Sequence, residues 1–308
     1  MKIVIALGGN ALGNNPEEQK ELVKVPAKKA ANLVKNGHTV IIGHGNGPQV
    51  GMIYNAFSDA KKSNEKTATV PFAEAGGMSQ GYIGYHMLSA IQTELNNQKL
   101  NNDVVYFQTL TYVDPKDPAF ENPTKPVGPF FKTFEEAQKS NPTAKVVEDA
   151  GRGFRVVVPS PKPIDILGIE TIKKTINSGA IAIVGGGGGI PVIDNNGTIK
   201  GLDGVIDKDF TCSKIAEKID ADIFVILTAV DFVYVNYNKP DQKKLETINV
   251  AELQEYIQQN QFAAGSMLPK VQAAINFVKN NPNKKAIIAD LKDIELALEG
   301  KIGTTIVA

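Results

Sequence analysis

Three times in this chain a short apolar run ends in a cluster of glycines. Ile3–Leu7 runs into Gly8-Gly9-Asn10, Thr39–Ile42 into Gly43-His44-Gly45-Asn46-Gly47-Pro48, and Ala180–Val184 into Gly185 to Gly189. Short runs rich in β-branched residues and bounded by glycine read as buried strands. Helical patterns alternate with them along the chain. That order predicts an α/β fold: a three-layer αβα sandwich around a largely parallel sheet. Ligands of such sheets sit beyond the carboxyl ends of the strands. A turn without Cβ atoms lets backbone N–H groups approach an anion closely. Three such turns at matching strand ends can share one cleft.

Charge sets the scale of that cleft. Lys plus Arg and Asp plus Glu each number 33, so the net charge is zero. No global field draws nucleic acid or an anionic membrane, and any anion site has to be built locally. A single cysteine, Cys212, rules out an intramolecular disulfide and fits a reducing compartment. It reads as a small packed residue rather than a nucleophile. Three histidines and one cysteine do not make the usual zinc site. No apolar run is long enough to span a bilayer, and the first is too short for a signal peptide, so a cytoplasmic protein is expected.

Between the strands, Asn14-Asn15-Pro16-Glu17 reads as a helix start. Its helical pattern runs from Glu18 to Lys35, with a kink or restart expected at Pro26. Helices are expected over Gln49–Lys62 and Ala75–Asn96. The second carries glycines at 76, 77, 81 and 84. Each costs about 1 kcal/mol against alanine, which points to close packing against another backbone. Residues 113–163 hold nine of the 17 prolines, around a short helix (Glu135–Lys139) and a hairpin of Val146-Val147 with Arg155–Val158. This stretch reads as a small protruding subdomain or lid set within one domain of residues 1–308. The sheet pattern then resumes through Ile223–Leu227, Ala286–Ala289 and Thr304–Val307, with helices over Asp209–Ile219, Val250–Gln259 and Leu268–Asn280.

The glycine turns fail two familiar fingerprints. Gly8, Asn10 and Gly13 lack the middle glycine of a dinucleotide turn, and Gly43, Gly45 and Pro48 lack the last. Gly8 to Gly13 has the glycine spacing of a Walker A loop, but Asn14-Asn15 follow where Lys-Ser/Thr is needed. Hydride transfer and the P-loop class are disfavoured, while an anion site remains.

Lysines supply the missing charge. Asp207 at a helix start reads as a cap. Lys208 beside it opposes the helix dipole, which a bound polyanion would explain. Lys270 repeats the theme in the first turn after Gly265-Ser266; a solvated surface lysine explains it equally well. Lys125 stands between turn residues in the proline-rich excursion, where a rigid loop would fix its direction. Arg152 and Arg155 are read as holding the subdomain to the sheet, Asp149 and Glu148 as their ion-pair partners, and His44 as ordering its own loop by a hydrogen bond.

Taken together, several stretches resemble the carbamate kinases of the amino acid kinase fold family. They are Ala6-Leu7-Gly8-Gly9-Asn10-Ala11, Gly45 to Gly51, Asn122-Pro123-Thr124-Lys125-Pro126-Val127-Gly128-Pro129, Gly185 to Pro191, Ile206-Asp207-Lys208-Asp209, Val235 to Pro240, and Gly265-Ser266-Met267 with Lys270. The resemblance covers essentially the whole chain, in order. Acetylglutamate kinase and its relatives carry a lysine two residues before the glycine pair, where this chain has Ala6. One departure from the carbamate kinase pattern is Val156, where a second arginine often follows.

That resemblance implies reversible phosphoryl transfer between ATP and carbamate, giving ADP and carbamoyl phosphate. It implies flow toward ATP in fermentative arginine catabolism, Mg²⁺ carried by the nucleotide, and a homodimer. Lys125, Lys208 and Lys270 would neutralise the transferring group, with Asp209 orienting the lysines. Gly8, Gly9, Asn10, Gly45, Asn46 and Gly47 would cradle substrate. Gly187, Thr228, Tyr234 and Met267, with Lys208 and Lys270, would meet the nucleotide. Carbamate is already ionised, so positioning and charge neutralisation suffice and no general base is needed. Rival readings are a kinase of another small acid such as acetylglutamate or aspartate, a catalytically silent nucleotide-binding module, and a dehydrogenase.

Overall fold

The computed structural model describes residues 1–8, 12–13, 15–140, 144–149, 151 and 153–308. Gly9, Asn10 and Arg152 lie outside the described residues. The chain opens with β1 (Lys2–Leu7), α1 (Pro16–Leu22), α2 (Lys24–Lys35), β2 (Thr39–His44), α3 (Gly47–Ser63) and α4 (Phe72–Asn97). Then come β3 (Val104–Tyr106), β4 (Leu110–Val113), β5 (Lys125–Phe131), α5 (Phe134–Ser140), β6 (Val146–Glu148), β7 (Phe154–Val158) and β8 (Pro163–Ile166). The third stretch is α6 (Ile169–Asn177), β9 (Ile181–Ile183), β10 (Ile190–Asn195), β11 (Thr198–Gly201), α7 (Lys208–Lys218), β12 (Ile223–Thr228) and β13 (Val233–Val235). The chain closes with β14 (Lys243–Leu245), β15 (Thr247–Asn249), α8 (Val250–Gln258), α9 (Met267–Val278), β16 (Lys285–Asp290), α10 (Ile294–Leu298) and β17 (Thr304–Val307).

Eight strands form the central sheet in the order β15-β17-β16-β12-β1-β2-β9-β3, parallel except between β16 and β17. Both faces are covered, and the strand residues sort between them with a period of two. Ile3, Ile5 and Leu7 face α2 and α4 through Ala27, Ala31, Ile83 and Met87. Val4 and Ala6 face α7 and α9 through Cys212, Ile215, Val271 and Ala274. This is the αβα sandwich expected from the alternating pattern.

Two smaller sheets complete the fold. One has the order β11-β10-β4-β8. Its β10–β11 hairpin turns at Asn196 and Gly197, both with positive φ. The other, β5-β7-β6, is an antiparallel unit that rests on α3 and shares with it a small core of Val50, Phe72, Val127 and Val205. The proline-rich stretch therefore divides. Residues 125–158 build the separate unit, while β4 and β8 on either side pair with each other in the second sheet.

Local readings shift where tertiary contacts intervene. The first helix breaks at Val23 rather than at Pro26, which occupies the first turn of α2, where its missing N–H leaves no bond unmade. Lys125 starts a strand, not a loop, pairing across to Val158. Arg155, read as holding the unit to the sheet, makes its described contacts inside the unit. It donates to the Gly128 carbonyl at 2.8 and 3.1 Å and pairs with Asp149 at 3.1 Å, all within the unit. No helix among the described residues is long and apolar enough to cross a membrane.

Candidate active site

Strands β1, β2 and β12 run parallel and in register, so Gly8, Gly45–Gly47 and Thr228 emerge at one end of the sheet. The glycine turns touch one another there. The Gly45 amide donates to the Leu7 carbonyl at 3.2 Å, and Gln49 donates to the Gly13 carbonyl at 2.9 Å. A Cβ on Gly187 would lie 2.2 Å from the Asn46 amide nitrogen, so the second and third turns are in direct contact. Asn46 is buried and donates to Ser79 Oγ at 2.8 Å, and Ser79 donates to the Gly76 carbonyl at 2.6 Å.

The third turn is clamped from behind. The Gly188 carbonyl accepts from Thr111 at 3.0 Å and Thr211 at 2.8 Å, and the Gly185 amide donates to Thr109 Oγ1 at 2.8 Å. Gln80 brackets Thr109 with both ends of its amide. Gly188 also backs onto the Ile206 carbonyl, where a Cβ would come within 2.2 Å. The turn is thereby joined to the segment that leads into α7.

At the start of α7 the three sequence-singled lysines meet two carboxylates. Asp207 caps the helix, its Oδ1 accepting from the Asp209 amide at 2.9 Å. Its Oδ2 accepts from Lys125 Nζ at 2.5 Å. Asp209 Oδ1 accepts from Lys208 at 2.6 Å and its Oδ2 from Lys270 at 2.8 Å. Lys125, Lys208 and Lys270 come from β5, α7 and α9, and only the fold brings them together. All four carboxylate oxygens are occupied by protein donors.

Burial opposes ionisation of both carboxyls, but the lysines outweigh it. Lys125 and Lys208 hold Asp207 below the usual carboxylate range, and Lys208 and Lys270 do the same for Asp209. Lys208 and Lys270 diverge although they share Asp209. For Lys208 burial is outweighed by Asp209 and Asp207, and its pKa is raised. For Lys270 burial wins, with repulsion from Lys208 added, and its pKa is lowered. A bound anion would restore what Lys270 lacks.

His44 is fully buried beneath the turns. Its Nδ1 lies 2.9 Å from the Gly45 carbonyl, the loop-ordering bond expected of it. Burial pushes its pKa down to about 4, with nearby Lys208 lowering it further, so the ring is neutral and Nδ1–H donates. Cys212 is packed against Gly43, and burial pushes its thiol up to about 12, which leaves it inert.

Thr228, Tyr234 and Met267 sit on the other side of the strand ends. Val233 and Val235 face the core, so Tyr234 between them faces outward, its hydroxyl donating to Asp231 at 2.8 Å. Met267 opens α9 and packs partly into the core. Among the described residues no hydrogen bond or ring contact links these three to the lysine–aspartate cluster. Sequence reasoning missed Ser79, Gln80, Thr109, Thr111 and Thr211, and gave Asp207 only its capping role. Ser79 and Gln80 were detectable as polar residues at helical spacing from Ile83 and Met87 on a buried face.

The model of the amino acid kinase family matches residues 1–290, and the chain is a member of that family. Its detailed likeness is narrower. It is 60% identical to a carbamate kinase-like protein of Mycoplasma pneumoniae over 306 residues, 99% of each chain. It is 49% identical to the carbamate kinase of Staphylococcus epidermidis, again over 99% of each. The solved carbamate kinase of Giardia lamblia bound to AMP-PNP superposes with a TM-score of 0.89 at 42% identity, covering 99% of this chain and 98% of that one.

Proposed function

We propose that this protein is a carbamate kinase, transferring a phosphoryl group between ATP and carbamate to give ADP and carbamoyl phosphate. The observation that carries the reading is the convergence of Lys125, Lys208 and Lys270 on Asp207 and Asp209 at the mouth of the glycine turns. The full-length likeness to carbamate kinases names the acid.

The transfer breaks the bond between the γ-phosphorus and the bridging oxygen of ATP and forms one to a carbamate oxygen. No proton moves, because carbamate is already an anion. What opposes reaction is charge: two anions must be brought into line. Lys125, Lys208 and Lys270 spread positive charge over the transferring group, and Asp209 fixes the directions of Lys208 and Lys270. Gly8, Gly45, Asn46 and Gly47 form the neutral cradle for carbamate, a role that the resemblance alone extends to Gly9 and Asn10. The first strand brings no charge there, since Ala6 is fully buried in the core. Gly187, Thr228, Tyr234 and Met267 flank the nucleotide, a reading supported by the likeness to the Giardia carbamate kinase bound to AMP-PNP.

Magnesium belongs to the nucleotide in this reading. The Asp207 and Asp209 oxygens already carry protein donors. In this reading the ion enters on the phosphates as Mg–ATP or Mg–ADP.

The unit of residues 125–158 acts as a lid within a single catalytic domain. The working direction is toward ATP, in the cytoplasm, in arginine catabolism. A homodimer is part of the proposal. On α4, Gly77 and Gly84 pack inside the protomer against Gln108 and Tyr106, while Gly81 faces open space near exposed Met78 and Tyr85. The decisive experiment is ATP formation from ADP and carbamoyl phosphate. Inactivity there, with turnover of another acyl phosphate, refutes the assignment.

A further inference from the structure

Asp207 does more than cap a helix. It also ties the first residue of the small antiparallel unit to the catalytic body, beside the packing of that unit on α3. The unit leaves the body at Lys125 and returns at Val158, and these two residues face each other across β5 and β7. Both ends are gripped by one short segment, Val205 to Asp207. The Val205 amide donates to the Pro159 carbonyl at 2.9 Å, and Asp207 takes the Lys125 ammonium at 2.5 Å. Gly204 lies so close that a Cβ would stand 3.0 Å from the same Pro159 oxygen. The same segment backs onto the third glycine turn through Ile206 and Gly188, and continues into Lys208 and Asp209.

The two grips differ in kind. The backbone bond at Pro159 is a fixed pivot. The Lys125–Asp207 pair is partly open to solvent, at 30% and 15% exposure of the side chains. A pair so placed adds little net stability and is readily exchanged. When Lys125 departs, Asp207 gives up its strongest charge partner, while its other oxygen keeps the Asp209 amide and Lys208 remains nearby. Three lysines here face two carboxylates, so an incoming phosphoryl anion competes for the most exposed of them. Lys208 and Lys270 share Asp209 and are more buried than Lys125, at 10% and 14% exposure against 30%.

We propose that Asp207 is a positioning residue, a latch that holds Lys125 over the cleft in the ligand-free enzyme and releases it to the phosphoryl group when substrates bind. The proposal rests on the carbamate kinase reading for the identity of that group. It does not rest on it for the latch itself.

Asp207→Asn tests it, since asparagine caps a helix as well as aspartate does and removes only the charge. Asp207→Ser, another good cap, is the second variant should the first fold poorly. The primary readout is hydrogen exchange of Lys125–Phe131 and Phe154–Val158 in the ligand-free protein, with α2 as internal reference. Exchange of those strands is expected to rise about tenfold while α2 stays unchanged. The second readout is turnover in a double-mutant cycle with Lys125→Met. Asp207→Asn should lower kcat by about tenfold in the wild-type background and have no further effect in the Lys125→Met background. Unchanged strand exchange, or equal losses in both backgrounds, overturns the latch. Failure of the wild-type protein to make ATP from carbamoyl phosphate refutes the reaction instead and leaves the exchange result to stand alone.

Discussion

Gly51 and Gly128 meet backbone to backbone where the antiparallel unit rests on α3: a methyl group on Gly51 would stand 2.2 Å from the Gly128 Cα. Gly128 has a φ of 72°, a conformation that side chains with a Cβ avoid, and its carbonyl is held by Arg155. Gly51 cannot grow without moving the unit, and the unit carries Lys125.

Gly51→Ala should therefore displace β5 from α3 without emptying the main core. Overpacking of this kind costs about 1–3 kcal/mol. The larger consequence is catalytic, since Lys125 is only three residues before Gly128 on the same strand. A fall in kcat greater than the loss of stability measured by urea unfolding is the expected outcome. Wild-type turnover would show that the contact is mere packing.

Removal of the Lys125 ammonium, as in Lys125→Ala, should leave folding intact, because its pair with Asp207 is partly solvated. Turnover should fall by an amount comparable to loss of one preorganised charge donor, about 3–4 kcal/mol in the transition state. Steady-state assay in the ATP-forming direction decides it. Near-normal turnover would exclude this lysine from the chemistry.

Ser79 never reaches the cleft, yet it orients Asn46, which does. Ser79→Ala leaves the buried Asn46 amide without its acceptor. A buried donor so stranded costs about 1–3 kcal/mol, and the amide is free to turn. A reduced kcat/KM in a protein that remains folded at the assay temperature is expected. Unaltered kinetics would separate Asn46 from substrate binding.

His44 makes stability depend on pH. Its pKa is about 4 in the folded protein against an ordinary 6.5, burial being the main cause. Below pH 6.5 the unfolded chain takes up a proton that the folded one refuses until about pH 4. Stability therefore falls as pH drops through that window, by at most about 1.4 kcal/mol per pH unit from this group. His44→Asn keeps a donor for the Gly45 carbonyl and cannot titrate. Urea unfolding at pH 7 and pH 5 should show a shallower fall for the variant than for the wild type. Parallel falls would remove His44 as the source.

Local sequence determined the layers. Continuous apolar runs ending in glycine marked the buried strands, and the folded sheet then sorted Ile3, Ile5 and Leu7 from Val4 and Ala6. The motifs with Lys125, Lys208 and Lys270 were also legible, because lysine in a first helical turn or between prolines conflicts with local preference. Three further things were settled only in the folded chain. The proline-rich stretch divided between two sheets, since pairing of β4 with β8 depends on strands 53 residues apart at Leu110 and Pro163. The first helix broke at Val23, not at its proline. Asp207, which looks locally like any helix cap, acquired Lys125 from 82 positions away. Capping is a short-range hydrogen bond and can be read from neighbours in the chain. A charge pair across 82 positions exists only after loop closure has been compensated by burial of the sheet, and no local pattern encodes it.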